Sequence, residues 1–220
     1  FSTGAQGKMY DGCPGCPYTH YKQFYDYYGS FTYADDWALA ALHGTTLTYG
    51  APASVSFNFG TASNWARREA IKKGTAYMHV WMYAIRNFED AIDDCVSCAA
   101  NCDEFSANDA GPVHAWDEGV AFYTGSLEGT VQGGNMAGKL VYRLAEKRCG
   151  NFGTCTGAGG MSQVNDALFK AGGLFPQGRD LLHAGSCSGV RAVVDQIVSL
   201  MTVPLVQGTL RYAWKVGQTG

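Results

Sequence analysis

The sequence predicts a mainly α fold, in which a single-domain helical bundle carries irregular, disulfide-stapled segments and one small hairpin. Apolar and aromatic residues recur at helical spacing through most of the chain. Alternation typical of strands is confined to residues 45–62. The length of 220 residues fits one domain with a sizeable core, so we expect a single domain over 1–220.

The N-terminal part divides into an irregular segment and two helices. Residues 1–17 are rich in Gly, Pro and Cys and are predicted to be irregular. A helix follows, because four tyrosines lie on one face of a helical wheel: Tyr18, Tyr21, Tyr25 and Tyr28. Such tyrosines either pack in a core or bind a metal as tyrosinate. A second helix is predicted over 34–43, ended by Gly44.

Residues 45–62 predict either a small hairpin or an extended loop. Asn64 is a good N-cap for a long helix over 65–98, in which Gly74 is the weak point. The apolar face of that helix is formed by Trp81, Ile85, Phe88 and Ile92. This face requires a partner.

A second amphipathic helix supplies that partner and begins at Pro112, a residue favoured in the first helical turn. Its apolar stripe contains Trp116, Val120, Tyr123 and Leu127. We expect this stripe to pack against the long helix. Further helices are predicted over 136–148, 162–171, 188–201 and 204–214.

Composition and charge exclude several classes of protein. The net charge of −3 leaves no basic excess for nucleic acid binding. Hydrophobic residues make up 46% of the chain, which excludes intrinsic disorder. No uninterrupted run of 18 apolar residues occurs, so we expect no membrane span.

The eight cysteines indicate an oxidising compartment: Cys13, Cys16, Cys95, Cys98, Cys102, Cys149, Cys155 and Cys187. The chain also begins at Phe1 instead of Met, from which we expect a processed protein in a periplasmic or extracellular space. Cys149 and Cys155 flank a short loop that suits a disulfide. Two C-x-x-C pairs leave zinc binding open, and sequence cannot choose among the disulfide pairings.

Two polar helix faces are candidate metal sites. On the helix from Pro112, His114 lies one turn before Asp117 and Glu118, with Glu128 farther along. On the long helix, His79 shares a face with Asp90 and Asp93. Imidazole and carboxylate together suit iron, as Fe³⁺ or Fe²⁺. The two faces are either one converging iron site or two separate solvated surfaces.

No recognised nucleophile elbow, phosphate-binding loop or zinc-protease motif occurs, so we predict no catalytic residues. The block HAWDEGVAFYTGSLEG at residues 114–129 continues as GKLVYRLAEKRC at 138–149 and NFGTC at 151–155. Together these blocks resemble the extracellular iron-assimilating proteins of microalgae, which are induced by low iron or high carbon dioxide. The resemblance implies secretion, help with iron uptake at the cell surface and no catalysis.

Two other functions remain open from the sequence. Low charge, many aromatic residues and many glycines also suit a structural subunit that assembles with itself or with cell-surface components. A secreted metalloenzyme using the same His, Asp and Glu residues is the second alternative.

All eight cysteines are expected to be oxidised in the secreted protein. Reduction should then raise the intact mass by about 8 Da, one hydrogen for each cysteine. Mass spectrometry under denaturing conditions, before and after reduction, measures this change. Four or more free thiols in freshly secreted protein would contradict the prediction.

Overall fold

The computed structural model describes residues 1–11, 18–98, 111–127 and 137–218, and the fold is mainly α, as predicted. Its α-helices are α1 (Ser2–Gln6), α2 (Thr19–Tyr28), α3 (Tyr33–His43), α4 (Asn64–Gly74), α5 (Trp81–Cys98), α6 (Pro112–Thr124), α7 (Leu140–Phe152), α8 (Gln163–Phe169), α9 (Leu174–His183) and α10 (Cys187–Gln218). Strands β1 (Thr46–Tyr49) and β2 (Val55–Asn58) form the hairpin. The chain divides into two compact units, residues 1–86 and 87–220, and the expectation of one domain stays a prediction.

The N-terminal segment corrects one expectation, because residues 2–11 are helical instead of irregular. Helix α1 continues into a π-helical segment, Gly7–Asp11. Ala5 and Met9 are buried, and the backbone N–H of Ser2 donates to the Asp35 carboxylate at 3.3 Å. These long-range contacts stabilise a helical segment, although its Gly-rich composition does not favour a helix. The remainder of the predicted irregular region, residues 12–17, lies outside the described residues.

An aromatic core lies between α2 and α3 in the first unit. Tyr21 is fully buried, and Tyr28 stacks on Tyr33 with ring centroids 5.1 Å apart. The Tyr49 hydroxyl, on β1, donates to the Tyr33 carbonyl at 2.5 Å. Helix α3 ends as predicted, with Gly44 in the left-handed conformation at φ 68°. The tyrosines of α2 therefore contribute to packing.

The predicted hairpin is confirmed. Strand β1 pairs with β2 in antiparallel register, from Thr46 opposite Asn58 to Tyr49 opposite Val55. A small core beside it contains Ala40, Ala41 and Phe59, with Trp37, Leu47, Ala70 and Ile71 packed around them. This core joins the hairpin to α3 and α4.

The long helical run after residue 63 is confirmed in extent and changes character at Gly74. The cap is Ser63 instead of Asn64, since the Ser63 hydroxyl accepts the Ala66 N–H at 3.2 Å. Helix α4 passes into a π-helical segment, Thr75–Val80, and then into α5. A Cβ atom at Gly74 would overlap the Trp37 ring, whose Nε1 donates to the Ala70 carbonyl at 3.0 Å. Gly74 thus permits close packing between α3 and α4.

The second unit contains the predicted packing of α5 on α6. Phe88 and Trp116 are buried, and their rings lie 4.8 Å apart. A Cβ atom at Gly119 would come within 2.6 Å of the Phe88 ring, so the small residue lets the two helices approach. Farther along α6, the buried Tyr123 hydroxyl donates to Asn165 of α8 at 2.6 Å. The predicted stripe is confirmed at Trp116 and Tyr123, but α6 ends at Thr124, so Leu127 lies beyond the helix.

The C-terminal helix is where the predicted boundaries were wrong. We expected separate helices over 188–201 and 204–214, but α10 continues through Pro204. The proline ring is itself part of the buried face, at helical spacing with Ile197, Met201 and Gly208. Packing against α7, α8 and α9 thus outweighs the lost backbone hydrogen bond. Helix α9 was not predicted, and α7 begins later than expected.

Among the described residues, α10 is the one helix whose length and composition would let it cross a membrane. It contains an 18-residue window with a mean hydropathy of 1.4, and 39% of that window is buried inside the protein. A buried core helix passes the same criteria. The absence of a membrane span therefore stays a prediction.

Replacing Gly178 of α9 by Ala should destabilise the protein by about 1–3 kcal/mol, because the added methyl group would overlap the buried Trp116 ring. Gly189→Ala in α10 is the matched control, since its Cβ would lie 3.4 Å from the Leu181 side chain. That variant should be neutral or more stable by up to about 1 kcal/mol. Urea unfolding measures both. Equal effects of the two substitutions would contradict the described packing of Trp116.

Candidate functional site

A histidine and an aspartate from distant parts of the chain meet in the first unit. His79 lies in the π-helical segment Thr75–Val80, and Asp35 lies in the first turn of α3. The His79 Nε2 atom is 2.9 Å from Asp35 Oδ1, while Asp35 Oδ2 accepts the Ser2 backbone N–H. Both oxygens of this carboxylate are therefore engaged by groups that stabilise negative charge.

The electrostatic balance keeps Asp35 ionised. Burial alone would raise the pKa of this carboxyl, but hydrogen bonds from Ser2 and His79 lower the pKa below its usual value. The Phe1 ring packs against the imidazole with centroids 4.7 Å apart. The N-terminal segment thus helps to fix both partners.

Tyr21 of α2 adds a buried phenol to this region. Burial, followed by the charges of Asp11 and Asp35, raises the pKa of Tyr21 to about 12. Its hydroxyl has no hydrogen-bond partner among the described residues, and the same is true of the buried Nδ1 of His79. We call His79, Asp35 and Tyr21 the unit-one cluster. The Tyr21 hydroxyl and the His79 Nδ1 atom thus have unused hydrogen-bonding capacity, and Asp35 holds the imidazole from its other side. Phenol and carboxylate oxygens with an imidazole are donor types that suit a hard metal ion.

Of the predicted site residues, His114 and Glu118 meet on α6. Their Nε2 and Oε1 atoms are 3.4 Å apart, and their side chains are 42% and 49% exposed. Asp117 is also exposed on this helix. Such a solvated pair contributes little to stability, and its polar atoms remain accessible.

Asp90 and Asp93 lie on α5, the first partly buried and the second exposed. The neighbouring Glu89 forms a bidentate ion pair with Arg191 of α10 instead. Burial raises the pKa of Glu89, although Arg191 opposes that shift. Glu89 therefore has a structural role in joining two helices.

The proposed convergence of His79 with His114 stays a prediction, since the two residues belong to different units. Glu128 lies outside the described residues. Within the described ranges, no group of three or more His, Cys, Asp or Glu side chains is arranged to hold a metal ion. The unit-one cluster differs from such a group because its third member is a tyrosine. Sequence reasoning considered Tyr21 but missed Asp35, which lies 44 positions from His79.

The described cysteines are oxidised, as predicted. Cys95 bonds to Cys187 and joins α5 to α10, while Cys149 bonds to Cys155 across a short loop. Cys98 is also disulfide-bonded, and no described cysteine is free. Cys13, Cys16 and Cys102 lie outside the described residues. These bonds are typical of an oxidising compartment.

Comparison with models of known protein families, with curated proteins and with solved structures gave no match. The chemistry of these residues is therefore the basis for inferring a function.

The substitution Asp35→Asn should make the stability of the protein depend less on pH in the acidic range. The folded-state pKa of Asp35 is lowered, so its ionised form stabilises the fold above the unfolded pKa of about 3.9. That stabilisation is lost as the pH falls through the folded pKa. Thermal melts from about pH 5 to 2 should show a shallower fall in Tm for the variant than for the wild type.

The matched control is Asp26→Asn on α2, whose carboxylate pairs with Lys22 at an exposed position. It should retain most of the acid dependence of the wild type. If the Tm of Asp35→Asn falls with pH as steeply as that of the wild type, the ionised Asp35 carboxylate does not stabilise the fold.

Proposed function

We propose that this is a secreted, non-enzymatic protein that binds iron and assists its assimilation at a cell surface, from the periplasmic space or the extracellular side. Its resemblance to the algal iron-assimilating proteins over residues 114–155 supports the role. The observation that carries the proposed binding is the unit-one cluster, in which His79 contacts Asp35 and the charge of Asp35 acts on the buried phenol of Tyr21.

The ligand chemistry favours Fe³⁺ as the cargo. Asp35 supplies an ionised carboxylate that holds His79 through Nε2, and the second ring nitrogen, Nδ1, is engaged by no described residue. Tyr21 is protonated in the metal-free protein, because burial and nearby acids disfavour the phenolate. A trivalent cation reverses that preference by adding positive charge beside the phenol. Binding therefore releases a proton and weakens as the pH falls.

The disulfides support the proposed location. Cytosolic thiols are normally kept reduced, whereas bonds such as Cys95–Cys187 persist outside the cytosol. A protein that captures iron before uptake must function in that environment. Release then follows from acidification or from reduction of the ion, since both weaken its bonds to phenolate and carboxylate ligands.

The surface of α6 offers a second, more open location for iron. His114 and Glu118 are adjacent and exposed, with Asp117 on the same helix. Asp90 and Asp93 on α5 carry further carboxylates. Ligands that are exposed or only partly buried exchange ions readily. We assign them the weaker binding.

Iron titration by calorimetry, with a soluble chelate as the iron source, tests the proposal. Tyr21→Phe and His79→Ala should each lower the affinity at least about 100-fold, because each removes a proposed ligand atom. Asp35→Asn should lower it about 10- to 100-fold, because it removes the carboxylate that orients His79 through Nε2. Tyr49→Phe is the matched control, since it removes another buried hydroxyl from the same unit. It should retain affinity.

The paired variants His114→Ala and Glu118→Ala locate the site. A small loss of affinity in both is expected if the unit-one cluster holds the ion. A steep loss in these two, with normal binding by Tyr21→Phe, would move the site to α6. No stoichiometric iron binding by the wild type would overturn the proposed function.

A further inference from the structure

The C-terminal part of α10 carries an exposed apolar face. Four large apolar residues are 38–57% exposed at successive turns: Val203, Val206, Leu210 and Trp214. Their spacing of three and four residues places them on one side of the helix. We call this face the C-terminal stripe. Nearly all residues from 209 to 218 are exposed.

Positive charge accompanies this stripe. Arg211 and Lys215 lie within the same turns, and the sequence after Asp195 contains no Asp or Glu. The Arg211 guanidinium lies 4.8 Å from the centre of the Trp214 ring. On neighbouring α7, Arg148 lies over Tyr212 at 5.9 Å. A chain with a net charge of −3 thus carries a cationic, aromatic surface at one end of α10.

We propose that the C-terminal stripe docks this protein onto the surface of an anionic lipid bilayer. Trp is enriched at the boundary between headgroups and acyl chains, where its ring is apolar and its N–H remains hydrated. Arg and Lys beside an apolar face bind lipid phosphates while their aliphatic stems remain in contact with the acyl region. The stripe combines these features over three helical turns.

Docking fits the structure better than crossing. The first part of α10 is held by the Cys95–Cys187 disulfide and buries Val190, Val194 and Ile197. The exposed residues 209–218 span about 15 Å at 1.5 Å per residue. A hydrocarbon core is about 30 Å thick, so this portion reaches into the interface only.

Charge complementarity also favours lipid over a second copy of the chain. Antiparallel pairing of two stripes would place Arg211 and Lys215 opposite a stretch of the partner helix that has no acid. Anionic headgroups supply the missing negative charge. The stripe's apolar residues distinguish a bilayer from a soluble polyanion, which offers no acyl region to receive them.

Vesicle flotation of the full chain tests this proposal, using phosphatidylcholine alone or mixed with phosphatidylglycerol. The wild type should float with the mixed vesicles only, and added salt should weaken binding. The double variant Arg211→Gln/Lys215→Gln should bind about 25-fold more weakly, at about fivefold for each charge. Leu210→Asp should abolish binding.

The matched controls are Trp214→Ala and Trp65→Ala, since Trp65 of α4 is 71% exposed and lies outside the stripe. Only Trp214→Ala should lose affinity, and circular dichroism should show unchanged helicity in both. Equal binding by the two variants, or equal binding to both vesicle types, would overturn the proposal. So would a concentration-dependent dimer that Leu210→Asp dissociates, or binding to dextran sulfate that Leu210→Asp leaves intact.

Discussion

The second unit depends on the attachment of α5 to α10. Glu89 and Arg191 form an ion pair at one level, and Cys95 and Cys187 form a disulfide about one and a half turns away. Removing Arg191 would leave the buried Glu89 carboxylate without its counter-charge, which typically costs about 3–5 kcal/mol. The disulfide joins cysteines that are 92 positions apart and therefore strongly restricts the unfolded chain. In the loop-entropy description this stabilises the folded state by about 4–5 kcal/mol. The ion pair and the disulfide together fix the position of α5 along and around its own axis, and hence the position of Phe88 against Trp116.

The first unit uses a different kind of constraint. Its polar centre is the Asp35 carboxylate, which accepts hydrogen bonds from the N-terminal segment and from His79. Aromatic packing around Tyr21 excludes water from the same region and raises the pKa of its phenol. This arrangement is poor for a phenolate in the absence of metal and favourable when a trivalent cation is bound. Structural organisation and the proposed iron chemistry therefore require the same residues.

Local periodicity was sufficient to predict most of the helices and the contact between α5 and α6. The stripe of Phe88 and Ile92 on α5 is buried as its spacing indicated, and Gly44 ends α3 in the expected conformation. Features that depend on distant residues were not predictable in this way. Asp35 and His79 meet only through the fold, residues 2–11 become helical through tertiary contacts, and Pro204 is tolerated because its ring fills a buried position.

The candidate site was correspondingly harder to predict than the fold. Spacing on one helix correctly brought His114 to Glu118, which is a contact within four residues. It gave no sign that Glu89, next to the predicted ligand Asp90, pairs with an arginine 102 positions away. Helical spacing cannot reveal which acid receives a buried counter-charge, because that depends on the packing of two distant helices.

Resonance Raman spectroscopy of the iron-loaded protein tests the central claim most directly, because iron bonded to a phenolate enhances tyrosinate vibrations that no other ligand produces. The account predicts these bands in the wild type and in Tyr49→Phe, and their loss in Tyr21→Phe. Stoichiometrically loaded protein without tyrosinate bands, or bands that persist in Tyr21→Phe, would contradict an iron site built from Tyr21, Asp35 and His79.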